Sequence, residues 1–341
     1  LPNATRIGFT GTPTSKTERL YRDYIDSYTM RQSIDDGVTL EIIYQGFTHN
    51  AEVEDKEGMD KKFEDVFSDY NIQERLQILG FGSRDAYLDS EDTIREKAKY
   101  MMDHYVSQIF PGGFKAQIIA NSRIAAVRYK RMIEDALKAK IEELENNNPL
   151  SINIDRLRKV RAAVVISGDR NDELEIKHYT DTNYHKRSIK SFKLPFDGED
   201  EETPTIKGDV GIIIVNNMLT TGFDAPIEQV LYLDRVLVAH NLLQAITRPN
   251  RVGEEGKDFG FVVDYVGIGH HLKKAIDYYD EKQGQVDTDE TDGTLSTIVN
   301  EEELLKELKN THAAIWDFLK KNGLTDLTDE DAFYDLFYDE D

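Results

Sequence analysis

The segment 244–251 carries three side chains suited to phosphate binding. It reads Gln244-Ala245-Ile246-Thr247-Arg248-Pro249-Asn250-Arg251, so an amide and two guanidiniums are spaced by four and three residues. On a helix that begins near residue 240, Gln244, Arg248 and Arg251 would share one face. Because arginine is permanently charged and presents a fork of donors, this face predicts a phosphate-binding surface, with an exposed ion pair as the alternative.

A second segment, 216–226, places a glycine beside an acid after the apolar run 211–215. It begins with Asn216 and Asn217 and ends with Thr221-Gly222-Phe223-Asp224-Ala225-Pro226. Gly222 permits a positive φ or a close backbone approach. Asp224 is an acceptor suited to a ribose hydroxyl or to an arginine. An ordinary turn closed by a side-chain hydrogen bond is the alternative.

A third segment, Gly8-Phe9-Thr10-Gly11-Thr12-Pro13, begins in the first apolar run of the chain and continues into a turn. Such a turn can present the hydroxyls of Thr10 and Thr12 to phosphate or water, or it can simply cap a helix. The next residues, Thr14-Ser15-Lys16-Thr17, resemble the end of a P-loop. However, the glycines that let a backbone wrap phosphate are replaced by Thr10 and Ser15, so a P-loop is rejected here.

These segments lie among short apolar runs that alternate with helical patterns. Runs that are apolar at every residue indicate strands buried on both faces, as in a parallel sheet; they cover 7–10, 40–44, 116–120, 162–167, 210–215, 230–233 and 261–263. The clearest helix begins near Asn121 or Ser122, either of which could cap it, and stops before Pro149. The alternation predicts an α/β fold, and ligands of open α/β sheets gather at the carboxyl ends of the strands.

Composition excludes several classes of protein. The 341 residues include no cysteine, which excludes disulfides and thiolate sites and fits a reducing, cytoplasmic compartment. The eight histidines show no metal-ligand spacing, and no apolar run is long enough to cross a membrane. The net charge of −23 excludes a uniformly basic, duplex-wrapping surface, although the stretch 115–161 is locally basic and the stretch 277–341 strongly acidic.

Taken together, the order and spacing of the motifs resemble the second half of a superfamily 2 helicase motor. More closely, they resemble the motor (R) subunit of type I restriction endonucleases. Thr10-Gly11-Thr12-Pro13 is similar to motif III, and Lys115–Asn121 with Ser122-Arg123 to motif IV. The Thr221–Pro226 segment is similar to motif V, and Gln244, Arg248 and Arg251 match the Q-x-x-x-R-x-x-R skeleton of motif VI.

The resemblance implies a RecA-like parallel sheet flanked by helices and a division into five parts. Residues 1–14 would end a first RecA-like motor domain, and 15–50 would form a connecting helix and an edge strand. A helical insertion would occupy 51–110. The second RecA-like domain would span 111–267, and an acidic helical region 268–341.

The resemblance also implies that ATP, with Mg²⁺, binds between two motor domains. Arg251 would be the arginine finger and Arg248 would contact phosphate. Gln244 would sense the nucleotide, Gly222 and Asp224 would line its side of the cleft, and Thr10 and Thr12 would couple hydrolysis to movement.

Double-stranded DNA is the further partner that the resemblance implies, contacted through its backbone by Asn216, Asn217, Ser122 and Arg123. Methyltransferase and specificity subunits would complete the complex. The sequence contains no G-x-x-x-x-G-K-[ST], so the chain alone is expected to hydrolyse no ATP.

Two positions depart from the motif VI pattern, and two other functions stay open. Thr247 stands where glycine is common, and Pro249 disfavours a helical conformation at Arg248, so the helix is expected to bend or end there. A different superfamily 2 motor, for example in excision repair or remodelling, would carry similar motifs. A non-enzymatic interaction module on an α/β scaffold is the alternative from another class.

Overall fold

The computed structural model describes residues 7–8, 25–26, 28, 30–46, 88–147, 152–219, 222–237, 239–253, 256–266 and 298–321. The strands in these ranges are β1 (Glu41–Gly46), β2 (Lys115–Ala120), β3 (Arg161–Val165), β4 (Val210–Val215), β5 (Glu228–Asp234), β6 (Phe259–Asp264) and β7 (Ile298–Asn300). The α-helices are α1 (Met30–Asp35), α2 (Glu91–His104), α3 (Arg123–Asn147), α4 (Ile154–Leu157), α5 (Leu174–Lys177), α6 (Thr182–Lys193), α7 (Ala239–Ile246) and α8 (Glu301–Lys321).

The strands form one sheet in the order β3-β4-β2-β5-β6-β1-β7, and every neighbouring pair is parallel. Strands β2, β4 and β5 are buried along their whole length. This arrangement confirms the predicted α/β fold with a parallel sheet, and it confirms the strands expected from the apolar runs between residues 40 and 263.

Helices cover both faces of the sheet. Alternate strand residues such as Ile118 and Ile214 pack with α2 and α3 in one core, whereas Ile119 and Ile213 pack with α6 and α7 in the other. The side-chain alternation of a strand produces these two layers. The sheet therefore lies between two layers of helices. Its two ends, where strands begin and where they stop, are available for functional residues.

Side-chain caps fix where the helices begin. The Ser122 hydroxyl accepts a hydrogen bond from the amide of Ala125 at 3.0 Å, which confirms the predicted start of α3. Asp181 caps α6 by accepting from the amide of Tyr184 at 2.7 Å. Helix α8, over Glu301–Lys321, lies within the stretch 268–341 for which a helical region was expected.

Helix α2 belongs to the core of the sheet domain. Ile94, Met101 and the following Tyr105 are fully buried in the same core as strands β2 and β4. The buried ammonium of Lys97 lies 2.5 Å from a carboxylate oxygen of Asp234 at the end of β5. The expected insertion over 51–110 therefore does not hold for residues 91–110, which the structure places with the sheet. Residues 51–87 lie outside the described ranges.

Other expectations concern residues that the structure does not describe. Thr10, Thr12 and the rest of the motif III segment after Gly8 lie outside the described ranges, as do 267–297 and 322–341. Within the described ranges, no helix is both long enough and apolar enough to span a membrane.

Candidate functional site

The structure brings the glycine–acid segment and the two arginines together. We call residues 222–227 the Gly222 loop and residues 247–251 the arginine turn. The Arg251 guanidinium donates to a carboxylate oxygen of Asp224, and the Arg248 guanidinium donates to the backbone carbonyl of Phe223. Gly222 has a φ of +68°, in the left-handed region that glycine adopts without strain. Contacts between residues that are 25 and 27 positions apart in sequence thus join the two segments into one site.

The arginines lie beyond the helix that was expected to carry them. Helix α7 ends at Ile246, so Gln244 is helical whereas Arg248 and Arg251 lie in the turn that follows. The expectation that all three share one helical face is therefore wrong. The physical reason is Pro249, which disfavours the helical conformation at Arg248 and has no N–H to donate.

The two arginines differ in exposure. Arg248 is 5% exposed, its guanidinium carbon lies 5.9 Å from the centroid of the Phe223 ring, and its Nε has no hydrogen-bond partner among the residues that the structure describes. Burial lowers the pKa of Arg248, while the nearby carboxylate of Glu228 favours its charged form. The side chains of Arg251 and Asp224 are 45% and 60% exposed. The site therefore consists of one buried and one solvent-accessible guanidinium.

The arginine turn is fixed to the sheet by backbone contacts. The carbonyl of Asn250 accepts from the amide of Leu40 at 2.6 Å, just before β1, and Arg251 forms an antiparallel bridge with Thr39. A Cβ added to Gly260 in β6 would lie only 2.4 Å from the carbonyl oxygen of Pro249. Glycine at this position is what lets the turn lie on the strand.

Lys257 connects the Gly222 loop to the arginine turn. Its ammonium donates to the carbonyl oxygens of Pro226 and Glu228 at 2.7 Å each and of Arg251 at 2.9 Å. Burial lowers the pKa of Lys257 to about 8, although the charge of Glu228 opposes that shift. Burial also raises the pKa of Glu228, at the start of β5, to about 7.

A fourth cation approaches the Gly222 loop from α6. The ammonium of Lys193, in the last turn of that helix, lies 5.4 Å from the centroid of the Phe223 ring. The Phe223 ring also packs against Phe192, with the ring centroids 6.0 Å apart. The Phe223 ring is therefore an apolar contact shared by Lys193 and Arg248.

The site lies at the end of the sheet where strands begin. The Gly222 loop precedes β5, and the arginine turn contacts the residues before β1 and the amino-terminal part of β6. The expectation that these ligand-binding segments would gather at the carboxyl ends of the strands is wrong for them. After each parallel strand the chain must return to the end of the sheet where the next strand begins, and these segments lie on that return.

The residues expected to touch DNA lie at the other end of the sheet. The amide nitrogen of Asn216, which follows β4, donates to the carbonyls of Ala120 and Asn121 at 2.9 Å each. Asn216 is only 6% exposed. Its amide nitrogen is therefore occupied in joining the ends of β2 and β4.

The other three residues of this group are placed differently. The Arg123 guanidinium lies 2.6 Å from Asp172 and donates to the carbonyl of Ser167 at 3.1 Å, while the Ser122 hydroxyl caps α3. Asn217 is exposed, and its side-chain oxygen accepts from Arg235. Arg123 and Ser122 thus make contacts within the chain, and Asn217 is exposed at the surface.

Sequence reasoning missed Lys257, Arg235 and Lys193. Arg235 immediately follows the apolar run of β5, and that position after a strand was a signal that could have found it. Nothing in the local sequence distinguishes Lys257 or Lys193 from other surface lysines. Within the described ranges, no cluster of three or more histidine, aspartate or glutamate side chains is placed to hold a metal ion.

Comparison with known proteins gives two family matches within the chain. Residues 112–267 match the model of domain 3 of the type I restriction enzyme subunit R. Residues 1–76 match the SWI2/SNF2 ATPase model.

Curated relatives extend the similarity to most of the chain. The MjaVIIIP type I restriction enzyme endonuclease subunit of Methanocaldococcus jannaschii is 31% identical over 305 residues, which is 82% of this chain and 28% of the relative. The HindI endonuclease subunit of Haemophilus influenzae is 28% identical over 295 residues, which is 84% of this chain and 25% of the relative. The chain thus spans about a quarter of the length of these relatives.

Among solved structures, a fragment of an HsdR subunit of a type I restriction enzyme from Vibrio vulnificus is similar, with a TM-score of 0.47 and 18% identity. That match covers 82% of this chain and 41% of the fragment. On the family matches and the curated relatives, this chain is similar to a segment of the R subunits of type I restriction enzymes, and its residues 112–267 match the model of domain 3 of that subunit.

Proposed function

We propose that this chain supplies the second motor domain of an ATP-dependent DNA translocase, as part of the R subunit of a type I restriction enzyme. The Gly222 loop and the arginine turn would face the triphosphate held by a neighbouring motor domain. The observation that carries this proposal is the pairing of half-exposed Arg251 with Asp224 beside buried Arg248.

In this proposal Arg251 is the arginine finger. An exposed ion pair contributes about 0–1 kcal/mol, so a triphosphate can displace Asp224 from the Arg251 guanidinium at small cost. A guanidinium at this position stabilises the charge that develops on the phosphoryl group in the transition state. Mg²⁺ would be held mainly by the acidic ligand of the neighbouring domain.

The remaining residues of the site would support Arg251. Arg248 is held by the Phe223 carbonyl and would contact phosphate through its unused donors. Gln244, on the preceding helix, would sense the nucleotide, and Gly222 and Asp224 would line its side of the cleft. Thr10 and Thr12 remain the proposed link between hydrolysis and movement.

Double-stranded DNA would lie along the opposite end of the sheet. Strands of six residues separate the two ends by about 20 Å. Asn217 is the exposed member of the group proposed to touch the DNA backbone, and such contacts carry no sequence information. Ser122, Arg123 and Asn216 are less exposed than Asn217, and their side-chain bonds would act mainly by holding this end of the sheet together.

The chain alone would hydrolyse no ATP, because its sequence has no P-loop. The relatives are named as subunits of type I restriction enzymes, which supports methyltransferase and specificity subunits as partners of the whole protein. The cytoplasm is the proposed location. Robust ATPase activity of the isolated chain would contradict the proposed division of the site between two domains.

The test is Arg251→Ala in the full-length protein. We expect DNA-stimulated ATPase activity to fall by about 10³-fold or more, the usual effect of losing an arginine finger, while DNA binding persists. Arg158→Ala is the matched control, since Arg158 is also an exposed arginine in ion pairs, with Glu145 and Asp155, but lies away from the site. Unchanged ATPase activity in Arg251→Ala would overturn the proposal and favour an interaction module.

A further inference from the structure

Lys257 contacts three separate parts of the site with one ammonium group. Its three acceptors belong to the Gly222 loop (Pro226), to the first residue of β5 (Glu228) and to the arginine turn (Arg251). A lysine ammonium has three donors, and here each finds one carbonyl oxygen within 2.9 Å. The contacts therefore fix the relative positions of three segments that are distant in sequence.

The surroundings of Lys257 show that it does not serve as a surface charge. The residue is 6% exposed, and Glu228, the acid beside it, is 1% exposed. Gly253 leaves room for the lysine stem, because a Cβ at that position would lie 3.1 Å from the Lys257 Cδ and 2.9 Å from the Pro226 oxygen. An ammonium buried in this way is costly unless its hydrogen bonds are satisfied, so the carbonyl geometry must be maintained.

We propose that Lys257 is a positioning residue that sets the reach of Arg251 toward the phosphate by joining the backbones of the Gly222 loop and the arginine turn. This inference rests on the proposed function. Lys257 touches no reacting atom in this account. It acts on Arg251 in two ways. It holds the backbone carbonyl of Arg251, and it holds the loop that carries Asp224, the carboxylate that pairs with the Arg251 guanidinium.

The first test is Lys257→Met in the full-length protein, with ATP turnover measured in the presence of DNA. Methionine keeps the length of the stem and removes the donors. We expect kcat to fall by about 100-fold, as for a catalytic group displaced by about 1 Å, while KM for ATP changes by only a few-fold. If this variant does not fold, Lys257→Gln, which keeps an amide donor, is measured in the same way.

Lys115→Met is the matched control. Lys115 is also a buried lysine near the beginning of a strand, and its ammonium donates to the carbonyls of Ser191 and Gly208 at 3.0 and 3.1 Å. Its backbone amide donates to the carbonyl of Ile227 in the Gly222 loop at 3.0 Å, and Lys115→Met keeps that contact because it changes only the side chain. We expect it to lower stability with kcat unchanged, whereas an equal loss of kcat would mean that any buried lysine has this effect, which would overturn the inference.

The second test is the double variant Lys257→Met with Arg251→Ala. If Lys257 acts only through Arg251, the double variant has the same kcat as Arg251→Ala alone. A further loss that is multiplicative would overturn the inference. Unchanged kcat in Lys257→Met, with a large loss in Arg251→Ala, would also overturn it and leave the proposed function intact. Failure of the proposed function itself would appear as unchanged activity in Arg251→Ala.

Discussion

At the scale of single residues, Arg248 and Arg251 show that two arginines of one site can serve different purposes. Arg248 is buried, and its contact with the Phe223 carbonyl holds the Gly222 loop. Arg251 is half-exposed. In the described part of the chain its only ion pair is with Asp224, and solvent screens this exposed pair. The buried arginine thus favours a fixed backbone, and the exposed one can exchange its partner.

Asn216 allows a prediction about stability. Asn216→Ala removes both hydrogen bonds to the carbonyls at the end of β2, so we expect the free energy of unfolding to fall by about 1–3 kcal/mol. Chemical denaturation measures the change. Asn217→Ala, at the adjacent exposed position, is the control, with an expected change within about 0.5 kcal/mol. Equal effects of the two substitutions would contradict this account of Asn216.

The residue types of the site could be predicted from the sequence, whereas most of their partners could not. Spacing alone singled out Arg248, Arg251 and Asp224, and an arginine was one of two partners expected for Asp224. The structure shows that arginine to be Arg251. Lys257 escaped detection because its acceptors are backbone carbonyls, which every residue has.

At the scale of elements, the site depends on how the arginine turn lies on β6. Gly260→Ala places a Cβ within 2.5 Å of two atoms of the Pro249 carbonyl, and these backbone atoms must move. We expect lower thermal stability together with at least a tenfold loss of DNA-stimulated ATPase activity in the full-length protein, at the low end of what a misplaced catalytic group costs.

Gly46→Ala is the control for this substitution. Gly46 ends β1, and among the described residues a Cβ at that position would meet the Tyr44 side chain alone, at 3.7 Å, an ordinary contact. We expect wild-type ATPase activity in this variant. Full activity in Gly260→Ala would show that the position of the turn does not limit the reaction.

Strands were easier to predict than the placement of the segments between them. A parallel strand that is buried on both faces leaves a continuous apolar signal, and β2 and β4 were recognised in this way. Pro249 indicated where α7 ends. The local sequence did not indicate at which end of the sheet each segment would lie. That position depends on where the chain returns between parallel strands.

At the scale of the whole molecule, two effects on stability oppose each other as the pH falls. The net charge of −23 becomes smaller as carboxylates are protonated, which relieves repulsion. His104 acts in the opposite direction, because burial between α2 and β5 lowers its pKa from 6.5 to about 4. Its folded pKa is depressed, so its contribution to stability is present above pH 6.5 and is lost as the pH falls toward 4.

We therefore expect His104 to contribute about 3 kcal/mol of acid sensitivity between pH 6.5 and 4. In His104→Gln, the free energy of unfolding measured against pH should lack this decline. His178→Gln, at an exposed histidine, should follow the wild-type curve. Parallel curves for wild type and His104→Gln would contradict the assignment.

The central claim is that the arginine turn faces a nucleotide held by a neighbouring motor domain. Its most direct test is a structure of the full-length protein with DNA and a transition-state analogue of ATP. The account predicts the Arg251 guanidinium at about 3 Å from the analogue of the transferred phosphoryl group and separated from Asp224. Arg251 still paired with Asp224 and remote from the nucleotide would contradict it.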